Sequence, residues 1–446
     1  MGSILGTILA FAIVFGVLVF VHEFGHFFMA KLVGINVETF SFGYGKRLLG
    51  YKMGGTDYRI SLVPMGGYVK FSGDEALEGL KQNTEPKPGD FQSVKRWQRF
   101  LVILMGPVMN IALALLVLAF INMVGVSVPE YQSQAPVIGW IEPGSPAQKA
   151  DLVVGDEILS INDKKTATWS DVELAVGTKP DRTINIKVKR DDRVAYVDLL
   201  TESRTRFDMG YAGFFGRILT QVNAVTANSP AEKAGLKPGD VILAIDNSPA
   251  YLYRFIETLE KNPGKELDIK IQRNEAIIDL KVTPRKEGAV GKIGIMHGAK
   301  SIIQEYGFFS AFAQSYKDNL KMISAVMDFL KNLITGKAST RQLGGPLEIA
   351  NVSYAFFRMG FLPLMSFIAF ISLQLGVVNL FPVPVFDGGQ ILVLSLEGVF
   401  RRDFNPKVKQ VLMQIGFAIF IFLMVFVILN DVAKRLPNGW DSLIPF

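Results

Sequence analysis

The chain has 446 residues, enough for about three folding units, and it is 49% apolar and only 20% charged, with a mean hydropathy of +0.29. That balance excludes a disordered chain and is too apolar for an ordinary soluble enzyme, while the absence of cysteine excludes disulfides, thiolate zinc sites and cysteine nucleophiles. A net charge of +6 over this length suits the basic cytoplasmic loops of a membrane protein, and no nucleic-acid partner is expected.

Four stretches run without a formal charge for about the 20 residues that a helix needs to cross a bilayer. They are Gly2 to Val21, Phe100 to Val128, Met359 to Phe386 and Gln410 to Asn430. The first has no basic residue ahead of its apolar core and stays apolar beyond His22 and Glu23 to Ala30, so it reads as a retained span rather than a signal peptide. It also carries the chemistry. Only three histidines exist, and His22 and His26 are four apart with Glu23 after the first. On a helix, positions i and i+4 share a face, so both imidazoles can reach one zinc ion while Glu23, one residue round, can hold a water. Three ionisable groups within five residues of a span are costly and ordinarily mark function.

After this span come Lys46, Arg47, Lys52, Arg59, Lys70, Lys95, Arg96 and Arg99, and between the last two spans come Arg401, Arg402, Lys407 and Lys409. Both segments are expected in the cytoplasm, which puts both termini and the segment from Ser127 to about Arg358 on the other side. Within the first basic segment, Asp57 to Phe71 alternates apolar and polar residues around Pro64 and Gly66-Gly67, and this predicts a hairpin beside the site.

The long outer segment contains a repeat. Ser145-Pro146-Ala147, Lys149-Ala150, Leu152, Gly155-Asp156, Ile158-Leu159 and Ile161-Asn162 recur 84 residues later as Ser229-Pro230-Ala231, Lys233-Ala234, Leu236, Gly239-Asp240, Ile242-Leu243 and Ile245-Asp246. Each copy ends in an alternating hairpin, Thr183 to Leu200 and Glu266 to Val282, so each unit is mostly strand. The pattern resembles the PDZ domain, and two copies resemble a tandem pair; PDZ folds take chain ends or extended peptides on a sheet edge, so peptide ends are candidate partners. Beyond the repeats, Phe312, Tyr316, Leu320, Ile323, Met327, Leu330 and Ile334 recur at helical spacing, with Lys317, Lys321 and Lys331 on other faces. This predicts an amphipathic helix, packed on the second unit or, in the preferred reading, lying on the outer membrane surface.

A catalytic zinc has three protein ligands and an open position. Cysteine is absent, and His297 lies at the end of the second repeat on the outer side, whereas His22 and His26 lie toward the cytoplasmic end of their span. That leaves a carboxylate, and between Met359 and Leu396 the sole charged residue is Asp387, within Asn379-Leu380-Phe381-Pro382-Val383-Pro384-Val385-Phe386-Asp387-Gly388-Gly389. The prolines and glycines break the helix there, and broken backbone at membrane depth is tolerated where it is buried in protein or lines a wet cavity.

HExxH in the first span, a PDZ-like pair outside and NxxPxPxxDG in the third span together resemble the site-2 protease family of intramembrane zinc metalloproteases, over essentially the whole chain. The resemblance implies one zinc ion, with His22, His26 and Asp387 as ligands and Glu23 as general base. It implies Asn379 as a residue holding unwound substrate, and it matches Gly106-Pro107-Val108-Met109-Asn110 to a GPxxN segment lining the same core. Pro382, Pro384, Gly66 and Gly67 join Asn379 and Asn110 as expected substrate-positioning residues. It further implies a re-entrant β-loop whose free edge takes the substrate, an inner-membrane location, and single-span substrates of the anti-sigma-factor type or remnant signal peptides.

The expected architecture is a multi-span α-helical membrane protein with four transmembrane helices, a re-entrant β-loop and a tandem pair of mostly β, α+β PDZ domains. In order, these are span one (1–33), the cytoplasmic or re-entrant β-loop region (34–96), span two (97–128), the two PDZ units (129–215 and 216–300), the membrane-surface helix region (301–358), span three (359–397) and span four (409–431). Two other classes compete: a non-catalytic PDZ scaffold braced by a structural metal, which has no need of Glu23, and a metal transporter, which has no evident use for two peptide-binding modules.

Overall fold

Helix α1 (Gly2–Leu32) runs through the whole first apolar stretch and continues past the two histidines, because nothing in it breaks a helix until Gly34, at positive φ. The computed structural model describes residues 2–73, 87–204, 209–336 and 340–434, so residues 74–86 of the expected cytoplasmic segment and the terminal residues 1 and 435–446 lie outside the described residues. Strands β1 (Val37–Met53) and β2 (Thr56–Phe71) follow as one long hairpin.

The hairpin corrects the expectation drawn from Asp57 to Phe71. Its turn is Gly54-Gly55, both with φ > 0 as a two-residue hairpin turn requires, while Pro64 and Gly66-Gly67 fall inside β2 where the register shifts. Phe40 faces both Val69 and Tyr58, and Tyr58 also faces Tyr51. The hairpin is thus bent into a small sheet with segments in the order 67–71, 37–42, 57–60 and 49–53, and among the described residues the outer edge of 67–71 has no strand partner.

Helix α2 (Arg96–Val124) then packs on α1. At the crossing, a Cβ on Gly25 would lie 2.4 Å from the Met105 carbonyl oxygen, so glycine is required for this approach.

The two repeats fold alike. The first contains β3 (Ile138–Ile141), β4 (Glu157–Ile161), α3 (Trp169–Gly177), β5 (Thr183–Arg190), β6 (Arg193–Leu200) and β7 (Phe214–Gly216). The second contains β8 (Thr220–Val225), β9 (Val241–Ile245), α4 (Leu252–Lys261), β10 (Leu267–Arg273), β11 (Ala276–Val282) and β12 (Ile295–Ala299). In each, the last strand pairs with the first, β7 with β3 and β12 with β8. The 84-residue offset carries pairings as well as letters: Val137 bridges Glu157 as Gln221 pairs with Val241. Strand β7 straddles the expected boundary at residue 215.

Each module also repeats one buried ion pair. Asp156 accepts two 2.7 Å bonds from Arg190, and Asp240 accepts bonds of 2.7 and 2.8 Å from Arg273. Both aspartates also cap a turn, taking the Val153 and Lys237 N–H groups.

Helix α5 (Phe308–Ile334) occupies the expected amphipathic stretch and packs on α2. Ala311, Ser315 and Asn319 are its buried face, Ser315 Oγ donates to the Leu115 carbonyl of α2, and Met322 and Ile323 pack on Ala114. Tyr316, Leu320, Met327 and Ile334 of the apolar stripe are exposed. The small polar face allows close packing on a span, which leaves the large apolar side chains turned outward.

Helices α6 (Pro346–Met359), α7 (Phe361–Asn379), α8 (Asp387–Phe400) and α9 (Pro406–Ala433) complete the chain. Among the described residues four helices, α1, α2, α7 and α9, are long and apolar enough to cross a membrane, as a multi-pass protein requires. The expected third span is two helices, α7 and α8, separated by the Leu380 to Phe386 break. By contact, the chain divides into one compact unit of Met1–Val124, Glu305–Lys331 and Leu343–Phe446 and another of Gly125–Gln304 and Asn332–Gln342.

Because Asp240 is 1% exposed, Arg273→Met should strand a buried carboxylate and cost the second module about 3 kcal/mol. Faster amide exchange across residues 216–300 of the whole protein is the readout. The exposed Arg285–Glu287 pair, removed as a control, should change it by less than about 1 kcal/mol.

Candidate metal centre

His22 and His26 project from the same face of α1, with ring centroids 4.8 Å apart and planes nearly perpendicular. Their facing nitrogens are the two Nε2 atoms, 3.2 Å from each other. Asp387, the first residue of α8, reaches the same point from the other side of the core. Its Oδ2 is 3.1 Å from His22 Nε2 and its Oδ1 is 3.6 Å from His26 Nε2. One donor atom from each of the three residues lies within 4.8 Å of the others.

The break between α7 and α8 holds Asp387 there. A Cβ on Gly388 would lie 2.2 Å from the Leu380 carbonyl oxygen, and one on Gly389 would lie 2.3 Å from that of Val383, so the two glycines let the loop fold back against the start of α8. The loop closes on itself through Phe386 N–H to Val383 and Gly389 N–H to Phe386. Opposite, Gly106 of α2 makes room for both rings: a Cβ there would lie 2.3 Å from His26 Nε2 and 2.9 Å from His22 Cε1.

The partners of the two Nδ1 atoms settle which nitrogens face inward. His26 Nδ1 lies 2.9 Å from the Val102 carbonyl, which can only accept, so Nδ1 carries the proton and Nε2 presents a lone pair. His22 Nδ1 lies 3.2 Å from the Asn110 side-chain amide, whose Oδ1 is buried without a partner. The two ends of that amide are isosteric; with Oδ1 turned to it, Nδ1–H donates to Asn110 and His22 Nε2 is left as a second lone pair. Ser372 Oγ donates to the Asn110 main-chain carbonyl. The two Nε2 atoms and the Asp387 carboxylate, whose Oδ2 is buried, converge on one point, an arrangement that could hold a metal cation. Two imidazoles and one carboxylate suit zinc, with both rings held by outer hydrogen bonds.

Of the other expected site residues, Glu23 accepts a hydrogen bond from the Val69 N–H, and a Cβ on Gly67 would stand 3.5 Å from Glu23 Cγ. This places the unpaired edge of segment 67–71 against the glutamate. Asn379 ends α7 with its amide 3.4 Å from His22 Nε2. Gly66, at φ 118°, lies against Tyr44 instead. Pro384 packs where Gly416 of α9 leaves room for it, and Pro382 is exposed. His297 lies on β12, opposite Val222, in the other compact unit. The contacts of Val102 and Ser372 escaped the sequence, because a main-chain carbonyl and a hydroxyl meeting partners 76 and 262 residues away leave no local pattern.

The sequence profile of peptidase family M50 matches residues 10–423. The regulator of sigma-E protease of Escherichia coli K12 is 31% identical over 456 residues, covering 97% of this chain and 99% of that one. Its Haemophilus influenzae namesake is 32% identical over 456 residues, covering 97% and 100%. A Vibrio cholerae protein whose name places it among zinc metalloproteases is 31% identical over 461 residues, covering 97% and 100%. Among solved structures, the PDZ domain of the SdrC-like protein of Listeria monocytogenes matches at 16% identity over 19% of this chain and 87% of that one, with a TM-score of 0.17.

Two substitutions test the centre without touching its three donors. Asn110→Leu should weaken metal binding by about 10- to 100-fold, since His22 loses the acceptor that orients it. Gly106→Ala should lose most of its metal, because neither buried ring can retreat from the new methyl. Metal content after purification and competition with a chelator measure both.

Proposed function

The chain belongs to peptidase family M50, and from that premise we propose that it is an intramembrane zinc metalloendopeptidase in which His22, His26 and Asp387 hold the ion and Glu23 is the general base. The observation that carries this reading is the convergence of two histidines and a partly buried aspartate beside a glutamate that faces a strand edge without a strand partner. Zinc supplies Lewis acidity in such a site, polarising a carbonyl and lowering the pKa of water toward about 7. Glu23 takes the proton of the attacking water and passes it to the leaving amine, and the Val69 N–H keeps its carboxylate aimed.

A transmembrane substrate hides its carbonyls in its own helix, so it must be unwound and paired before it can be cut. Segment 67–71 offers the edge for strand addition, and the glycine at 67 leaves space between that edge and Glu23. The Asn379 amide, beside His22, is placed to hold a substrate carbonyl. The sheet of β1 and β2 re-enters the membrane in this reading, with the metal toward the cytoplasmic face as the Lys and Arg distribution suggests.

The repeated modules are a tandem PDZ pair on the outer side of the inner membrane. Substrates are single-span membrane proteins; the family resemblance implies an anti-sigma factor already shortened outside by another protease, and the relatives' name, regulator of sigma-E protease, fits a role in sigma-E control. Peptide ends bound by outer modules are too far from a cytoplasmic-side metal, across much of a bilayer about 30 Å thick, to orient a scissile carbonyl. The pair therefore acts as a size filter.

Glu23→Gln should keep its zinc and lose cleavage of a single-span substrate by more than about 100-fold. Asp387→Ala should lose both, and His297→Ala neither. Residual turnover near wild type in zinc-loaded Glu23→Gln refutes the assignment of the base.

Deleting Pro136 to Gly298 should leave cleavage of a shortened substrate largely intact and newly permit cleavage of the untrimmed form. Side-by-side assays in membranes decide this. Loss of short-form cleavage in a zinc-loaded deletion would replace the filter with direct delivery of substrate by the modules.

A further inference from the structure

Helix α1 uses only part of its circumference to pack inward. Val14 and Leu18 are buried against Leu364, Phe367 and Ile368 of α7. Further round, Ala12, Ile13, Gly16, Val17 and Phe20 combine with Phe42 of β1 to line an open, apolar groove of about 440 Å³. Ile13, Val17 and Phe20 are about two-fifths exposed. The groove has a floor because Gly16 lacks a side chain, and a Cβ there would lie 3.0 Å from the Phe42 ring.

Two features say what fits. Ala12 and Gly16 are one helical turn apart, and small residues at that spacing let a second helix approach closely in lipid, where apolar surface alone gives no reason to associate. The groove is also continuous with the site. Phe42, which lines the groove, pairs with Gly67, and a Cβ on Gly67 would stand 3.5 Å from Glu23 Cγ and 3.6 Å from Val19 Cγ1, so the groove and Glu23 border the same pair of strand residues. An acyl chain would fill the volume but has no need of that continuity.

We propose that the groove formed by α1 and Phe42 seats the still-helical part of a substrate's transmembrane segment, immediately before the stretch that is unwound against segment 67–71. The proposal rests on the proteolytic reading and adds a surface that recognises shape rather than polar groups. Single-span helices with small side chains at i and i+4 fit best over Gly16. The groove positions the substrate; it contributes no group to the reaction.

The test uses the full chain in membranes. With Glu23→Gln to prevent turnover, a photo-crosslinking residue at Ile13 or Val17 should capture a shortened single-span substrate, whereas the same residue at Phe417 or Phe422, exposed on α9, should not. In the active protein, Ala12→Phe and Val17→Phe fill the groove. They should lower the ratio of kcat/KM for the single-span substrate to that for a short extended peptide spanning the same bond by at least about tenfold, with zinc content retained. An unchanged ratio, or adducts as frequent on α9 as on α1, overturns the groove. A zinc-loaded wild-type chain that cuts neither substrate overturns the proteolytic reading beneath it.

Discussion

Two imidazole lone pairs and a carboxylate meet inside a bundle of apolar helices, and the rest of the membrane unit is arranged so that they can. Leaving such groups uncompensated in a medium of low dielectric costs several kcal/mol each. The compensation is built in layers. The Val102 carbonyl and the Asn110 side-chain amide meet the outward nitrogens of the rings, Ser372 holds the Asn110 main chain, and under the proposed reading the inward nitrogens are left to one cation. Close approach follows from the same demand. Gly25 lets α2 touch α1, Gly106 clears the rings, and Gly388 and Gly389 fold the Leu380 to Phe386 loop tightly enough to deliver Asp387. Each of these glycines is required by a contact below 3 Å rather than by flexibility.

The bent sheet answers a different constraint. Under the proposed reading β1 and β2 enter lipid, where backbone hydrogen bonds must be satisfied; the hairpin folds into adjacent paired segments, and among the described residues its outer edges have no strand partner. One of those edges faces Glu23. Under the proposed reading, a strand edge without a strand partner, which would be a liability in an ordinary sheet, becomes the means of holding an unwound substrate.

The repeated modules are stabilised independently of this chemistry. Each has its own apolar core, built from equivalent positions such as Ile138 and Val222, Leu152 and Leu236, and Ile158 and Ile242. Each also ties a buried aspartate to an arginine contributed by its hairpin. Repetition of the ion pair together with the core explains how two copies that differ at most surface positions keep one topology.

Much of this was legible in the residues alone. Charge-free runs marked the spans because a bilayer core admits little else, His22-Glu23 and His26 declared a metal face through the helical period, and the 84-residue offset declared two modules of one kind. Asp387 could be reached by elimination, as the sole charge in its stretch. What the sequence could not decide depends on contacts between distant segments. The turn at Gly54-Gly55 won over Pro64 and Gly66-Gly67 because two consecutive left-handed residues close a hairpin, whereas proline and glycine can also sit in a bulge. Helix α5 leaves Tyr316, Leu320, Met327 and Ile334 of its apolar stripe exposed because Ala311, Ser315 and Asn319 form its buried face against α2, a preference that exists only once α2 is there. The same holds for Val102, Asn110 and Ser372: local periodicity says which face a side chain takes, but only the packed helices determine which main-chain carbonyl or hydroxyl stands within 3 Å of it.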